Sequence, residues 1–196
     1  MAKIRVLLAA GALALLTACG STTGHDMAAA PSAAPAATTP AATTAAAFNE
    51  ADVMFARMMI PHHRQAVEMA DLAATRAADP EIKKLAAKIK AAQDPEIQTM
   101  TGWLKAWGRP VPSGGMGHAM PGIMSEEQMK ELKQAKGAAF DRRFAELMIA
   151  HHEGAIEMAR TEKADGADPA AKELAETIES TQQAEVTELR QLLDRL

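Results

Sequence analysis

The amino-acid sequence predicts an all-α fold, a four-helix bundle built from two repeated helical hairpins. Three observations predict it. Apolar residues recur at helical spacing from Phe48 onward. Glycine and proline fall between those stretches rather than within a β-type alternation, and strand signals are absent. Finally, the two halves are copies of one another. His151 lies 89 positions after His62, and that offset aligns the halves without a gap. Phe55-Ala56 meets Phe144-Ala145, Met59-Ile60 meets Met148-Ile149, His62-His63 meets His151-His152, and Glu68-Met69-Ala70 meets Glu157-Met158-Ala159. Downstream, Asp79-Pro80 meets Asp168-Pro169, Leu85-Ala86 meets Leu174-Ala175, and Gln93 and Glu96 meet Gln182 and Glu185. A unit repeated in this way usually cannot bury its apolar face alone. Two helical hairpins set face to face make a four-helix bundle.

The chain opens with Lys3 and Arg5, followed by an apolar run from Val6 to Leu16 interrupted by Gly11. This is the pattern of a secretory signal, too short to span a bilayer permanently. It ends in Leu16-Thr17-Ala18-Cys19, which resembles the lipobox of bacterial lipoproteins. That resemblance implies a signal peptide over residues 1–18 and a lipid on Cys19 as the first mature residue. Residues 19–47 are rich in Ala, Pro, Thr and Ser and read as a disordered tether. His25 and Met27 lie in it with no role. The remainder, 48–196, is the duplicated domain, with repeats at about 48–107 and 137–196 joined through a methionine-rich loop at 108–124.

Within the domain, Asn49 is an N-cap with Asp52 at the third helical position, and Phe55, Met58, Met59, Ala66, Met69 and Ala73 mark the apolar face of the first helix. Asp79-Pro80 is an N-cap followed by a first-turn proline and opens a second helix that ends near Trp107-Gly108. The segment from Gly108 to Met124 holds three prolines and five glycines and is a loop. It is long enough to be a crossover, so the topology is less determined than the helix count. Ser125-Glu126-Glu127-Gln128 fits a capping box for a short helix. Gly137 breaks or bends the chain before a long helix from about Phe140, and Asp168-Pro169 opens a last one. Pro61 and Pro95 align with Ala150 and Ala184 in helical segments, so both lie inside helices and kink them.

The net charge of −4, with both signs interspersed, excludes a nucleic-acid surface, which needs a basic patch or stripe. Cys19 is the only cysteine, so the folded body has neither a disulfide nor a thiolate metal site. Any soft ligand in that body is then methionine. There are thirteen methionines against four phenylalanines, two tryptophans and no tyrosine. Methionine is also an ordinary core filler, so position has to decide. On a helical projection the apolar face is centred near Met59 with a histidine on each flank. Met58 and Met69 lie beside it, and the second copy repeats the arrangement with Leu147, Met148, His151, His152, Ala155 and Met158. Adjacent histidines diverge by about 100° and do not chelate one ion from a regular helix. One histidine per helix meets its repeat mate or a methionine across the bundle; which one is not readable from sequence. Met116, His118, Met120 and Met124 form a second cluster in the loop, where packing gives little reason for methionine. Thioether and imidazole together suit Cu(I), and by extension Ag(I), better than hard cations.

A di-iron or di-manganese bundle is the competing metal reading. It needs inward glutamates and a Glu-x-x-His spacing. Glu68 and Glu157 instead follow the histidines and project to the polar side, with Glu68 paired to Arg64 or capping a neighbouring element. Asp52 and Asp141 fall on the histidine side, but Asp52 also reads as a helix-start residue. Trp103 and Trp107 are assigned to core packing. Ser113 and Ser125 lack a nucleophile context, and no phosphate-binding glycine loop precedes a helix.

The segments Met58-Met59-Ile60-Pro61-His62-His63-Arg64-Gln65-Ala66-Val67-Glu68-Met69-Ala70 and Phe140 to Ala159 closely resemble the family of the domain of unknown function 305. Trp103 to Gly108 and His118 to Ser125 are similar to further family segments. The resemblance spans Phe48 to Leu196 and implies a ferritin-like fold. It also implies copper and silver binding outside the cytoplasm, with His62, His63, His151, His152, Met58, Met59, Met69, Met148, Met158, Met116, His118, Met120 and Met124 as the metal ligands. Leu147, which stands where the first copy has Met58, makes the second copy poorer in thioether. The expectation is a lipid-anchored envelope protein that carries copper, as Cu(I) or else as Cu(II) or Ag(I), for storage, buffering, resistance or delivery to an unidentified partner. It is not expected to be an enzyme. A di-metal redox enzyme and a metal-free envelope interaction module are the alternatives.

Overall fold

A computed structural model describes residues 48–113 and 120–196. The expected signal peptide and tether, Cys19, and Met116 and His118 of the loop lie outside the described residues. Five helices and no strand occur among those residues: α1 (Glu50–Arg76), α2 (Pro80–Ala106), α3 (Glu126–Gln134), α4 (Ala138–Asp165) and α5 (Pro169–Leu193). None of them is long and apolar enough to cross a membrane.

Local chemistry accounts for the boundaries. Asn49 accepts the N–H groups of Ala51 and Asp52 while Asp52 takes the Asn49 N–H, closing a capping box on α1. Asp79 and Asp168 each accept two first-turn N–H groups, and the proline after each sits where a missing donor costs nothing. Ser125 and Gln128 close the box on α3. Gly137, at φ +62°, makes the sharp joint from which α4 starts, and its N–H donates to the Arg76 carbonyl at 2.8 Å. Pro61 and Pro95 both lie inside helices, as the repeat alignment requires.

Hairpin α1–α2 and hairpin α4–α5 each pack internally, and the two join chiefly through α1 against α4; α3 lies across α1 and α4. Two apolar cores result. One gathers Val53, Phe55, Met59 and Ile60 with Met100, Leu104, Met158 and Ile178. The other gathers Met69, Ile82, Leu85 and Ile89 with Leu132, Phe140, Phe144, Met148 and Leu189. Along each of the four long helices, the passage from one core to the other crosses a polar stretch at mid-length. On α1 it is His62-His63, on α2 Gln93 and Glu96, on α4 His151-His152, and on α5 Gln182 and Glu185.

Each hairpin also holds the other's turn. Asp52 accepts the N–H groups of Ala167 (3.0 Å) and Asp168 (2.9 Å). Its repeat mate Asp141 accepts those of Ala78 (3.1 Å) and Asp79 (2.9 Å). Burial would raise the Asp52 carboxyl, but the N–H groups of Asn49, Asp168 and Ala167 outweigh it and hold it below the usual carboxylate range. The histidine-side aspartates of the sequence are therefore occupied in joining the two repeats.

Candidate metal centre

All four paired histidines are 0% exposed. The first of each pair meets its repeat mate: the His62 and His151 rings have centroids 3.7 Å apart and planes inclined by 40°. The second of each pair turns toward its own hairpin. His63 Nε2 lies 2.8 Å from Glu96 Oε2, and His152 Nε2 lies 2.9 Å from Glu185 Oε2. These glutamates on α2 and α5 are the inward carboxylates that Glu68 and Glu157 are not. Glu68 reaches Lys133 of α3 at 2.6 Å, not Arg64, which donates to the Pro112 carbonyl. The repeat alignment carried a signal for the inward pair. Gln93 and Glu96 recur as Gln182 and Glu185, a polar pair kept at one spacing on otherwise apolar faces.

The acceptors fix where each imidazole holds its proton. A carboxylate only accepts, so His63 and His152 each carry hydrogen on Nε2. The Pro121 carbonyl, 3.1 Å from His62 Nε2, fixes the same tautomer there. In a neutral ring the remaining nitrogen is then a lone pair. Nδ1 of His62, His63 and His152 is buried without a hydrogen-bond partner, as are both ring nitrogens of His151. Both amide atoms of Gln93, the side-chain oxygen of Gln182 and one oxygen of Glu185 are also unpartnered. Buried polar atoms are rarely left in this state; outside this mid-length layer, Arg57 Nε and the two Glu162 oxygens share it.

Burial makes charge expensive in that layer. It pushes His62 down to about 3, helped by the adjacent His63. It takes His151 well below the ordinary histidine range, with His62, His152 and His63 adding to the effect. Burial also lowers His152, against the opposing pull of Glu185. These three rings are neutral at neutral pH, the form in which imidazole binds metal. Among the described residues, no three His, Cys, Asp or Glu side chains converge as a multidentate site. Among the described residues, the rings therefore offer a common point at most two nitrogens.

The methionines divide between several places. Met59 and Met148 are fully buried one helical turn before the histidines, on the same faces. Met69 and Met148 belong to the core under α3, together with Met124. Met58 and Met158 instead line a groove between α1 and α4, shared with Met54, a residue that sequence reading missed. The loop is seated above the histidines by specific contacts. Gln65 grips the Met124 backbone twice, donating to its carbonyl at 3.0 Å and accepting its N–H at 2.7 Å. Gly154 is the repeat mate of Gln65, and a side chain there would overlap the Pro121 carbonyl. Gly122, at φ +72°, likewise lies against the carbonyls of Ala150 and His151. Met120 and Met124 are both buried at this seat. Trp107 stacks with Phe48 on one side and Trp103 on the other at one end of the bundle, and both tryptophans lie against the core of Val53 and Leu104.

Proteins of similar sequence and fold are known. The DUF305 protein of Streptomyces coelicolor is 34% identical over 74% of this chain and 93% of its own, with a TM-score of 0.69. A DUF305 fragment from Deinococcus radiodurans is 31% identical over 76% of this chain and 98% of its own, with a TM-score of 0.70. CopM in its Cu(II)-bound form is 37% identical over 74% of this chain and 96% of its own, with a TM-score of 0.66. CopM has also been solved with Cu(I) and with silver bound. No curated sequence relative matches the chain. The sequence profile of the domain of unknown function 305 matches residues 52–193, and the chain belongs to that family.

Proposed function

We propose that this chain is a lipid-anchored, extracytoplasmic copper-binding protein with a ferritin-like bundle, serving storage, buffering or resistance without catalysing a reaction. Its cargo is Cu(I), with Ag(I) bound in the same manner. The anchor is the lipid on Cys19. The observation that carries the metal reading is the set of buried Nδ1 lone pairs on rings whose Nε2–H is already engaged. Metal-binding histidines almost always donate their other N–H to a carboxylate or a backbone carbonyl, which fixes the ring and raises its basicity. His63 and His152 have the carboxylate and His62 has the carbonyl. A donor set of one or two imidazoles with thioether nearby suits a soft monovalent ion and does not suit Mg(II) or Ca(II). The likeness to CopM, about 35% identical in its Cu(I)- and silver-bound forms, supports the same choice of cargo.

The test is titration of the purified protein with Cu(I) against a chromogenic Cu(I) chelator, repeated with His62, His63, His151 and His152 replaced by alanine. Loss of high-affinity binding in the fourfold variant is the expected result. Unchanged affinity would overturn the assignment. A ligand that binds only the folded state must also stabilise it, by about 2.7 kcal/mol at a hundredfold excess over Kd. If neither Cu(I) nor Ag(I) moves the unfolding transition, the metal-free interaction module takes its place. Glu96 and Glu185 favour a second reading, the di-metal redox centre, because inward carboxylates are what such a centre requires. In that case they would have to leave the imidazoles and bind metal themselves. Oxygen consumption by the Fe(II)-loaded protein would favour that centre.

A further inference from the structure

Pseudo-symmetry relates two grooves between α1 and α4, and among the described residues only one of them is filled. In the filled groove α3 lays Met129 and Leu132 against the core of Met69 and Leu147. Lys133 pairs there with Glu68 at 2.6 Å and Glu131 with Arg143 at 2.7 Å. The repeat offset carries Glu68 to Glu157, Met69 to Met158, Arg143 to Met54 and Leu147 to Met58. Those mates line the other groove, which has no counterpart of α3 among the described residues and holds a cavity of about 230 Å³. Where the covered groove has arginine and leucine, the open one has two more thioethers.

Packing accounts for Met158, which belongs to the core with Val53 and Ile178, and in part for Met58, which lies against it, but not for Met54. Met54 is 51% exposed, the one large apolar side chain so exposed among the described residues. Met54 and Met58 stand four apart, on one face of α1, and Met158 reaches the same cavity from α4. Glu157 on the wall adds a carboxylate that favours cations at the opening. Pro121 is also in the wall, and its carbonyl is the acceptor for His62 Nε2. One residue thus separates the groove from the buried imidazoles.

We propose that the groove is a second soft-metal site, in which the sulfurs of Met54, Met58 and Met158 hold one Cu(I) or Ag(I) ion at the surface, outside the buried histidine layer. This rests on the reading that the protein takes soft monovalent cations. It adds a capture position that needs no opening of the bundle. Neutral thioethers discriminate against Zn(II) and other harder ions by softness.

The experiment is Ag(I) titration of the full chain labelled with ¹³C in the methionine methyls, with parallel measurement of stoichiometry. Single Met→Leu variants assign the signals. In the wild type the methyls of Met54, Met58 and Met158 should move together, and Zn(II) should leave them still. M54L/M58L/M158L should bind one Ag(I) equivalent fewer while keeping the wild-type unfolding temperature to within a few degrees. Replacing the four buried histidines with alanine should leave those three methyl shifts intact, read in any variant that retains the wild-type helical signal. Unchanged stoichiometry in the triple variant, with wild-type Ag(I) binding present, overturns the groove site and leaves the histidine reading standing. A wild type that takes up no Ag(I) overturns both.

Discussion

A proton on Nε2 decides what His63 and His152 can do, and Glu96 and Glu185 decide where that proton sits. Replacing either glutamate with glutamine keeps the shape but removes the charge that raises imidazole basicity. E96Q and E185Q are each expected to weaken Cu(I) binding by about 10- to 100-fold with helical content unchanged. Chelator competition measures this, and wild-type affinity in both variants would show that the glutamates serve packing alone. The same buried groups set a pH profile. His62, His151 and His152 stay neutral in the folded state, while the unfolded chain protonates them near 6.5. Below that pH the unfolded state binds more protons, so stability falls as the solution is acidified. Glu162 acts in the opposite sense. Burial, and then the neighbouring Asp52, push it up to about 8. Its folded form holds a proton that the unfolded form has released, and stability falls as pH rises from about 4.5 to 8. Three groups oppose one below 6.5, and Glu162 acts alone above it. The denaturant midpoint is therefore expected to peak near pH 6.5, and E162Q should abolish the alkaline decline. A midpoint still climbing at pH 8 would contradict this.

At the scale of elements, the helix starts were legible because capping is local. Asn49, Asp79, Ser125 and Asp168 each act within three residues of themselves. The second role of Asp52 and the role of Asp141 were not legible, since each spends its oxygens on N–H groups more than sixty residues away. Nor could the seat for the loop be read. Gly154 is an unremarked helical glycine in the sequence, and only the approach of Pro121 shows why a side chain there is excluded. The aspartate clasps carry a measurable cost. Hydrogen bonds to a charged acceptor are worth about 1.5–3 kcal/mol, and removing the acceptor strands buried backbone donors. D52A and D141A are each expected to lose about 3 kcal/mol in chemical denaturation. A loss under about 0.5 kcal/mol, the scale of an ordinary surface change, would mean that the two hairpins hold each other by apolar contact alone.

Across the whole molecule, duplication builds a polar layer between two apolar cores and places a pseudo-equivalent imidazole from each copy at its centre. The repeat and the paired histidines were open in the sequence; the partners of the histidines were not. Glu96 and Glu185 are glutamates on helices with solvated faces, and only their shared position in the repeat set them apart. The division between His62 and His151, which face each other, and His63 and His152, which face carboxylates, depends on the rotation of α1 against α4, which no single helix pattern contains. The asymmetry of the described residues, with α3 over one groove and thioethers in the other, is likewise a property of the assembled hairpins. The most direct test of the buried site is long-range ¹H–¹⁵N NMR of the histidine side chains, with and without Ag(I). In the metal-free protein His62, His63 and His152 should be the Nε2–H tautomer. On adding Ag(I), Nδ1 resonances of the buried rings should shift while Nε2 keeps its proton. Nδ1 resonances that stay fixed at saturating Ag(I) would contradict the account.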